Sequence, residues 1–306
     1  MTRRPAATPW LRLYVLHPIE AAVAFAVYGA FAVLPVGIAS ALGGWLARTV
    51  GPRLALSRRA VRNLRLAFPE ITPAEIRRIV AGMWENLGRL AGEYPHTRKI
   101  RSNDNRSRHQ VEIVGADHIE RLRQGGGPTI LVTGHVANWE LCPIVFAQQG
   151  LPLDFVYRAA NNRLIDWLYR TRRSTGGQQS RTGPAGARHR LRSLSQGRHV
   201  AMLVDQKMND GIAVPFFGRP AMTAPAVAEL ALRFKCPLIP VRMERLDGTR
   251  FRVTVLPPLR HPDSGDRKRD VLALMTEVNA VLESWIRERP EQWLWLHNRW
   301  PDQGEG

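Results

Sequence analysis

A histidine and a glutamate just after a predicted strand are the residues best placed to do chemistry. Residues 133–140 read Thr-Gly-His-Val-Ala-Asn-Trp-Glu and follow the apolar run 128–132. Imidazole is the usual general base near neutral pH, and a carboxylate that accepts its Nδ1–H fixes the tautomer and stabilises the charged ring. We therefore predict His135 as the base and Glu140 as its partner. Asn138 is predicted to cap a helix over 139–148, which puts His135 in the loop before the helix and Glu140 in its first turn. The alternative is a loop histidine, with a glutamate that only offsets a helix dipole.

The sequence offers no convincing nucleophile for a covalent intermediate. Ser174 and Ser180 lie in a basic stretch without the glycines of a nucleophile elbow. Cys142 and Cys236 lie in apolar stretches, which predicts small buried side chains and neither a disulfide framework nor a zinc site. The simplest reaction is direct attack, in which the histidine deprotonates a substrate hydroxyl that then adds to an activated carbonyl.

Other polar residues follow predicted strands and belong to the same candidate cleft. His135, Arg158 and Asp205 each come directly after one, and the carboxyl ends of parallel strands share one edge of a sheet. Arg158 could bind phosphate or be a solvated surface residue. Asp205 and the adjoining Gln206 could bind polar groups or cap a loop, and the apolar loop 215–218 could wall an acyl chain or fill core.

Strand and helix patterns alternate along most of the chain. A capping box is predicted at Thr72 to Glu75, ahead of a helical apolar stripe. The pair Asp247-Gly248 predicts a hairpin turn. This alternation predicts an α/β fold, a mostly parallel mixed sheet flanked by helices. Strands are predicted at 111–114, 129–132, 153–157, 200–204, 238–245 and 250–256, and helices at 118–124, 139–148, 164–173, 187–196, 224–235 and 270–287.

The amino-terminal part is a long apolar segment. Residues 19–46 contain one charged residue, Glu20, and the stretch exceeds the roughly 20 residues that span a bilayer. Pro35 and several glycines interrupt it, so we expect a kinked span or two short interfacial helices, with a buried core hairpin as the alternative. Arginines flank both ends, more densely after the segment, which predicts a cytoplasmic main domain. We divide the chain into a helical membrane-associated segment, 1–56, and a catalytic domain, 57–306.

The chain is strongly basic, with a formal net charge of +18 and only four lysines among 44 basic residues. Arginine-rich codon usage is one explanation. The other is a surface for anionic partners, namely nucleic acid, phosphates or membrane headgroups.

Blocks of motifs spread over residues 15–300 give the chain a resemblance to the lipid A late acyltransferases, the lauroyl and myristoyl transferases of lipopolysaccharide assembly. The central block, 134–140, is similar to the H-x4-D/E acyltransferase motif. The remaining blocks occur in family order: Asn63-Leu64 to Phe68-Pro69-Glu70, Trp84 to Arg89, Val156-Tyr157-Arg158 with Asn161-Asn162 and Asp166, Arg173, Asp205-Gln206, Pro215 to Gly218 with Ala221 and Thr223, and Gln292 to Trp300.

Several positions depart from the family pattern. Val136 and Ala137 stand where the family has an aromatic or aliphatic residue and glycine. Ala159 and Arg163 replace two prolines. These changes leave the proposed chemistry intact but obscure the identity of the acceptor.

The resemblance implies a glycerolipid-acyltransferase-like fold and an acyl transfer reaction. It implies His135 as general base with Glu140, Arg173 as an oxyanion-stabilising or positioning cation, and a site lined by Arg158 and Asp205. The matching blocks add Asn162, Gln206 and Thr223 as substrate-binding residues. The donor would be a thioester on acyl carrier protein and the acceptor a hydroxyl of a lipid A precursor at the bacterial inner membrane. Since the thioester is already activated, we expect no metal and no organic cofactor.

Two other functions compete with this reading. A related acyltransferase could use acyl-CoA and act on a glycerophospholipid or another glycolipid. The charge would also suit a membrane-tethered nucleic-acid-binding protein, but no helix-turn-helix or RNA-recognition motif is present, so we expect no nucleic-acid partner.

Overall fold

The computed structural model describes residues 14, 16–102, 110–157, 160–172 and 177–300. The helices are α1 (His17–Ala32), α2 (Val36–Val50), α3 (Ser57–Ala67), α4 (Pro73–Glu93), α5 (Ala116–Gly125), α6 (Cys142–Gln148), α7 (Arg163–Arg172), α8 (Pro184–Ser195), α9 (Ala226–Phe234) and α10 (Arg267–Glu288). The strands are β1 (Arg101–Ser102), β2 (Gln110–Val114), β3 (Ile130–Thr133), β4 (Leu153–Tyr157), β5 (Gln179–Arg181), β6 (His199–Leu203), β7 (Lys207–Phe216), β8 (Arg219–Thr223), β9 (Leu238–Asp247) and β10 (Arg250–Val255).

Eight of these strands form one mixed sheet in the order β1-β2-β10-β9-β3-β6-β4-β5. All neighbours in the sheet are parallel except β9 and β10, which form the antiparallel hairpin predicted at Asp247-Gly248. Apolar side chains from the two faces of the sheet enter separate buried clusters, one with α3, α4, α9 and α10 and the other with α5 and α6. The predicted α/β class, with a mostly parallel mixed sheet flanked by helices, is confirmed.

Most predicted elements lie within two or three residues of their observed bounds, and the capping box is present. Thr72 and Glu75 exchange side-chain and backbone hydrogen bonds at the start of α4. The prediction around Asn138 was wrong. A 3-10 turn, Trp139–Leu141, precedes the short helix α6, and the Asn138 side chain makes no cap hydrogen bond.

The apolar segment 215–218 is a hairpin turn packed into the core. Strands β7 and β8 pair in antiparallel fashion on either side of Phe217 and Gly218, which both have positive φ values, 52° and 69°. The Phe216 ring stacks on Trp300 with ring centroids 5.7 Å apart. Of the two roles that the sequence left open for this segment, the structure gives it that of filling core.

The amino-terminal apolar segment forms two helices joined at Pro35. Helix α2 packs tightly on α4. This close approach requires glycine at position 43, because a Cβ atom there would lie only 2.3 Å from the carbonyl oxygen of Gly88. The opposite face of α2 exposes Ile38, Leu42, Trp45 and Leu46, and α1 exposes Ile19, Val23 and Val27. Within the described ranges, every helix is too short or too polar to cross a bilayer. The domain boundary at residue 56 remains a prediction.

Candidate active site

His135 and Asp205 meet at the carboxyl edge of the central sheet. His135 follows β3 and Asp205 follows β6, and these two strands are hydrogen-bonded neighbours in parallel register. The Nδ1 atom of His135 lies 2.7 Å from Oδ1 of Asp205. Of the three residues predicted to face one cleft, His135 lines a pocket, Asp205 is fully buried against the histidine ring, and Arg158 lies outside the described residues.

Asp205 is fully buried and its two oxygens accept hydrogen bonds from three groups. Oδ1 accepts from His135 Nδ1, whereas Oδ2 accepts from the His135 backbone N–H at 2.7 Å and the Trp293 indole at 2.8 Å. Burial alone would raise the pKa of Asp205, but the charge of His135 and these three donors outweigh it and hold the pKa well below its usual range. Asp205 is therefore ionised, so Nδ1 of His135 carries the hydrogen that it donates to Asp205, and in the neutral ring the lone pair is on Nε2.

The Nδ1 partner differs from the one that sequence spacing suggested. The spacing predicts Glu140 as that partner, and the resemblance places Asp205 among the substrate-binding residues; the structure gives the contact to Asp205. Glu140 lies in the 3-10 turn after the histidine loop and lines the same pocket as His135. Glu140, five residues after His135, thus lines the pocket together with the histidine, whereas Asp205, 70 residues after it, holds the imidazole ring.

A largely apolar pocket of about 450 Å³ opens in front of His135. This volume lies within the range of about 300–1,000 Å³ found for small-molecule sites. Its apolar lining comes from Phe155, Tyr157, Met202 and Leu203 among others, and its polar lining includes Thr133, Glu140, Gln206 and His297. Such a lining suits an apolar chain that carries one reactive polar group.

Gln206 links two histidines inside this pocket. Its amide nitrogen lies 3.2 Å from Nε2 of His135 and 3.0 Å from Nε2 of His297. Because Nδ1 of His135 carries the hydrogen, the amide donates to the lone pair on Nε2. Thr133 adds a buried Oγ1 that has no hydrogen-bond partner in the described part of the chain. Nε2 of His135 thus contacts one donor, the Gln206 amide, in a pocket that Thr133 also lines.

Cys142 also lines the pocket, but burial raises the pKa of its thiol to about 12. Since the thiolate is the nucleophilic form, this cysteine is inert at neutral pH. Both cysteines are buried and unpaired. The described residues contain no group of three or more His, Cys, Asp or Glu side chains arranged to hold a metal ion.

Two residues expected to bind substrate have contacts that are structural. Asn162 accepts from the backbone N–H of Leu164 at the start of α7 and donates to the backbone oxygen of His17 at 2.5 Å. Thr223 is fully buried and accepts from the guanidinium of Arg299 at 2.8 Å. Gln206 does line the pocket. Arg158 and Arg173 lie outside the described residues.

The histidine loop is fastened by the carboxyl-terminal segment. Val136 forms a β-bridge with Trp293, and the backbone N–H of Ala137 donates to the oxygen of Gln292 at 2.9 Å. Sequence reasoning gave no individual roles to Trp293 and His297. The signal was present, since both lie in the Gln-Trp-x-Trp-x-His block of the resemblance.

Comparison with known proteins agrees with this geometry. Residues 12–302 match the profile of the bacterial lipid A biosynthesis acyltransferases. The chain belongs to this family. It is 29% identical to the lipid A biosynthesis lauroyltransferase of Escherichia coli K12 over 257 residues, covering 80% of this chain and 79% of that protein.

Other relatives have the same general activity. A lipid A biosynthesis acyltransferase of Haemophilus influenzae is 24% identical over 87% of this chain and 82% of its own length. The lipid A biosynthesis myristoyltransferase of E. coli K12 is 25% identical over 78% of this chain and 73% of its own length. This lipid A acyltransferase is therefore an enzyme of the late acylation type.

Proposed function

We propose that this lipid A acyltransferase moves a fatty acyl chain from a thioester of acyl carrier protein to a hydroxyl of a lipid A precursor. The observation that carries the proposal is the His135–Asp205 pair, whose Nε2 faces a largely apolar pocket. Membership of the family supports the acceptor class, because the relatives are named for lipid A biosynthesis.

The proposed reaction needs one base and proceeds without an acyl-enzyme. Nε2 of His135 takes the proton of the acceptor hydroxyl while that oxygen attacks the thioester carbonyl carbon. The tetrahedral intermediate then collapses, the carbon–sulfur bond breaks, and the thiolate takes the proton back from the imidazolium. Asp205 stabilises the imidazolium throughout, as the orienting carboxylate of a triad does.

Hydrogen-bond donors near Nε2 would stabilise the oxyanion of the intermediate. In the structure the Gln206 amide donates to Nε2, and an arriving substrate hydroxyl would displace that amide. The contact with His297 would then keep the amide within reach of the pocket. The hydroxyl of Thr133, buried and without a hydrogen-bond partner in the described part of the chain, is a second donor. Fixed donors of this kind contribute more to catalysis than flexible ones, since they need little reorganisation during the reaction.

Glu140 retains a proposed catalytic role, with a function different from holding Nδ1. Its position in the pocket lets its negative charge favour the protonated form of His135 during attack. Arg173 and Arg158 remain proposed substrate-positioning cations, on the strength of the matched motifs alone. No cofactor or metal is required by these steps.

The exposed apolar stripes on α1 and α2 support attachment to a membrane, which we propose to be the inner membrane at its cytoplasmic face. Ile19, Val23 and Val27 lie on one side of α1, and Ile38, Leu42 and Trp45 on one side of α2. Contiguous exposed apolar surface of this kind marks a contact with a membrane or a partner. Helices lying in the interface would hold the pocket at the surface where a lipid acceptor resides.

The proposed function is tested by assaying each of two acyl donors with each of two acceptors. Purified enzyme in mixed micelles is given dodecanoyl-acyl carrier protein or dodecanoyl-CoA, with a tetraacylated lipid A precursor or a lysophospholipid as acceptor. We expect transfer from the carrier protein to the lipid A precursor, its loss in His135→Ala and its retention in the control His118→Ala. Transfer confined to CoA and lysophospholipid would reject the proposal, as would normal turnover by a folded His135→Ala.

A further inference from the structure

A second cavity, basic at its rim, lies beside the pocket that contains His135. It measures about 770 Å³ and is formed by α8, β7, α9 and α10. Leu191, Ile212, Leu230 and Val271 give it an apolar floor. Four cations line it, Arg190, Arg233, Arg267 and Lys268, and Glu229 is the one acidic side chain in the lining.

The cations of this cavity differ from those arginines of the described part of the chain that are paired with carboxylates. Elsewhere, arginines such as Arg121, Arg198 and Arg252 form ion pairs with carboxylates. Among described residues, none of the four cavity cations lies within ion-pair distance of a carboxylate, and the Arg267 guanidinium instead donates to the backbone oxygen of Glu229 at 2.6 Å. The cavity therefore presents a net positive charge, since Glu229 alone offsets four cations.

Arg190 connects this cavity with the catalytic pocket. It is half-buried and lines both spaces. Its Nε–H is buried and has no hydrogen-bond partner in the described ranges. A donor left unsatisfied inside a protein carries a free-energy cost, which a bound anion would remove.

We propose that the basic cavity is the docking surface for the acidic carrier protein, and that Arg190 binds the phosphodiester of its thioester arm. This inference rests on the donor proposed above. The rim cations Arg233, Arg267 and Lys268 meet acidic side chains of the carrier, the apolar floor accepts an apolar side chain from it, and the arm passes Arg190 towards His135. A guanidinium suits a phosphate through paired N–H donors.

The placement of the cavity favours a soluble anionic partner over a lipid surface. Most exposed large apolar side chains belong to α1, α2 and α7, whereas the cations belong to α8, α9 and α10, where the exposed Leu272 also lines the cavity. The lipid acceptor would thus reach the pocket from the side of α1 and α2, and the carrier-bound donor from the side of α8, α9 and α10.

Charge reversal at the rim tests the docking surface. The triple variant Arg233→Glu, Arg267→Glu, Lys268→Glu is compared with Arg65→Glu, Arg77→Glu, Arg250→Glu, which changes the net charge equally at exposed arginines that line no cavity described here. We expect the rim variant to raise KM for dodecanoyl-acyl carrier protein by about tenfold or more at low salt, and the control to leave it unchanged. KM for dodecanoyl-N-acetylcysteamine, which lacks carrier and phosphate, should not change in either.

Arg190→Gln tests the arm contact separately. We expect it to raise KM for the carrier-protein and CoA donors, which contain phosphate, by a larger factor than KM for the N-acetylcysteamine thioester. An equal effect on all three donors would contradict a phosphate contact.

Two results would overturn the docking surface while leaving the function intact. One is an equal KM for the carrier-protein donor in the rim and control variants. The other is a rim variant that loses binding to phosphatidylglycerol vesicles but keeps its KM for the carrier-protein donor, which would make this a lipid-facing surface. If the wild-type enzyme turned over no carrier-protein donor, the proposed function itself would fail.

Discussion

The side-chain amide of Asn138 donates a hydrogen bond to Oε2 of the buried Glu93 carboxylate at 2.7 Å. Glu93 is fully buried at the end of α4 and forms a bidentate ion pair with Arg245 of β9. Its other oxygen accepts from Ser40 of α2 at 2.7 Å. One carboxylate therefore joins the histidine loop, the central sheet and an amino-terminal apolar helix.

Removal of Glu93 should destabilise the protein severely. Glu93→Ala leaves the Arg245 guanidinium buried without its counterion, which costs about 3–5 kcal/mol of the free energy of unfolding. Chemical denaturation monitored by circular dichroism measures this loss. The control is Glu112→Ala, which removes an exposed partner of Arg252 and should give no measurable change. Similar midpoints for the two variants would contradict the role of the buried network.

Replacement of Asp205 should abolish most activity while substrate binding persists. Asp205→Asn removes the charge that fixes the His135 tautomer, so we expect kcat to fall by about 10²–10⁴-fold with little change in KM. Steady-state kinetics with a saturating thioester donor provide the measurement. A kcat within a factor of three of wild type would show that Asp205 does not support the base.

Glu140→Gln distinguishes the role of Glu140 from that of Asp205. We expect it to lower kcat by at least about tenfold while His135 keeps its tautomer, because the Nδ1 contact belongs to Asp205. The tautomer of the neutral imidazole, read from its nitrogen shifts by NMR, should therefore match wild type in Glu140→Gln and differ in Asp205→Asn. Full activity in Glu140→Gln would leave Asp205 as the only carboxylate needed.

Stability should depend on acid pH through Asp205. Its folded-state pKa is depressed, so the unfolded chain binds more protons in acid and stability rises with pH there. The contribution is fully present above the ordinary aspartate pKa, about 3.9, and is lost as pH falls towards the lower folded-state value. The difference in unfolding free energy between wild type and Asp205→Asn should shrink as pH falls below about 4. A constant difference down to pH 3 would refute the depressed pKa.

Polar substitutions on the exposed stripes should release the protein from membranes. Val27→Glu combined with Trp45→Glu changes side chains that are 49% and 62% exposed, so the fold should survive. We expect partitioning into phospholipid vesicles to fall by at least about tenfold, since two large apolar groups lose their burial in lipid. Flotation assays give the partition coefficient. Val114→Glu with Met208→Glu, also exposed, is the control, and an equal loss in both variants would argue against a membrane role for α1 and α2.

The sequence alone predicted most of the elements and the candidate base. The β-branched run before His135, the glycines that end helices and the Asp247-Gly248 turn are local signals, and local sterics decide strands, helix ends and hairpins. A histidine directly after a buried strand lies at a sheet edge whatever the rest of the fold, so His135 could be chosen without coordinates.

Only the tertiary structure decided which carboxylate holds that base. Glu140 is near His135 in sequence, but the parallel pairing of β3 with β6 brings Asp205 to Nδ1 from 70 residues away. The same holds for Asn138, which resembles a helix cap until the fold supplies Glu93 as a partner. Contacts between distant segments depend on strand order and register, which are set by the packing of the whole core. The hydrophobic periodicity of one segment does not specify strand order or register.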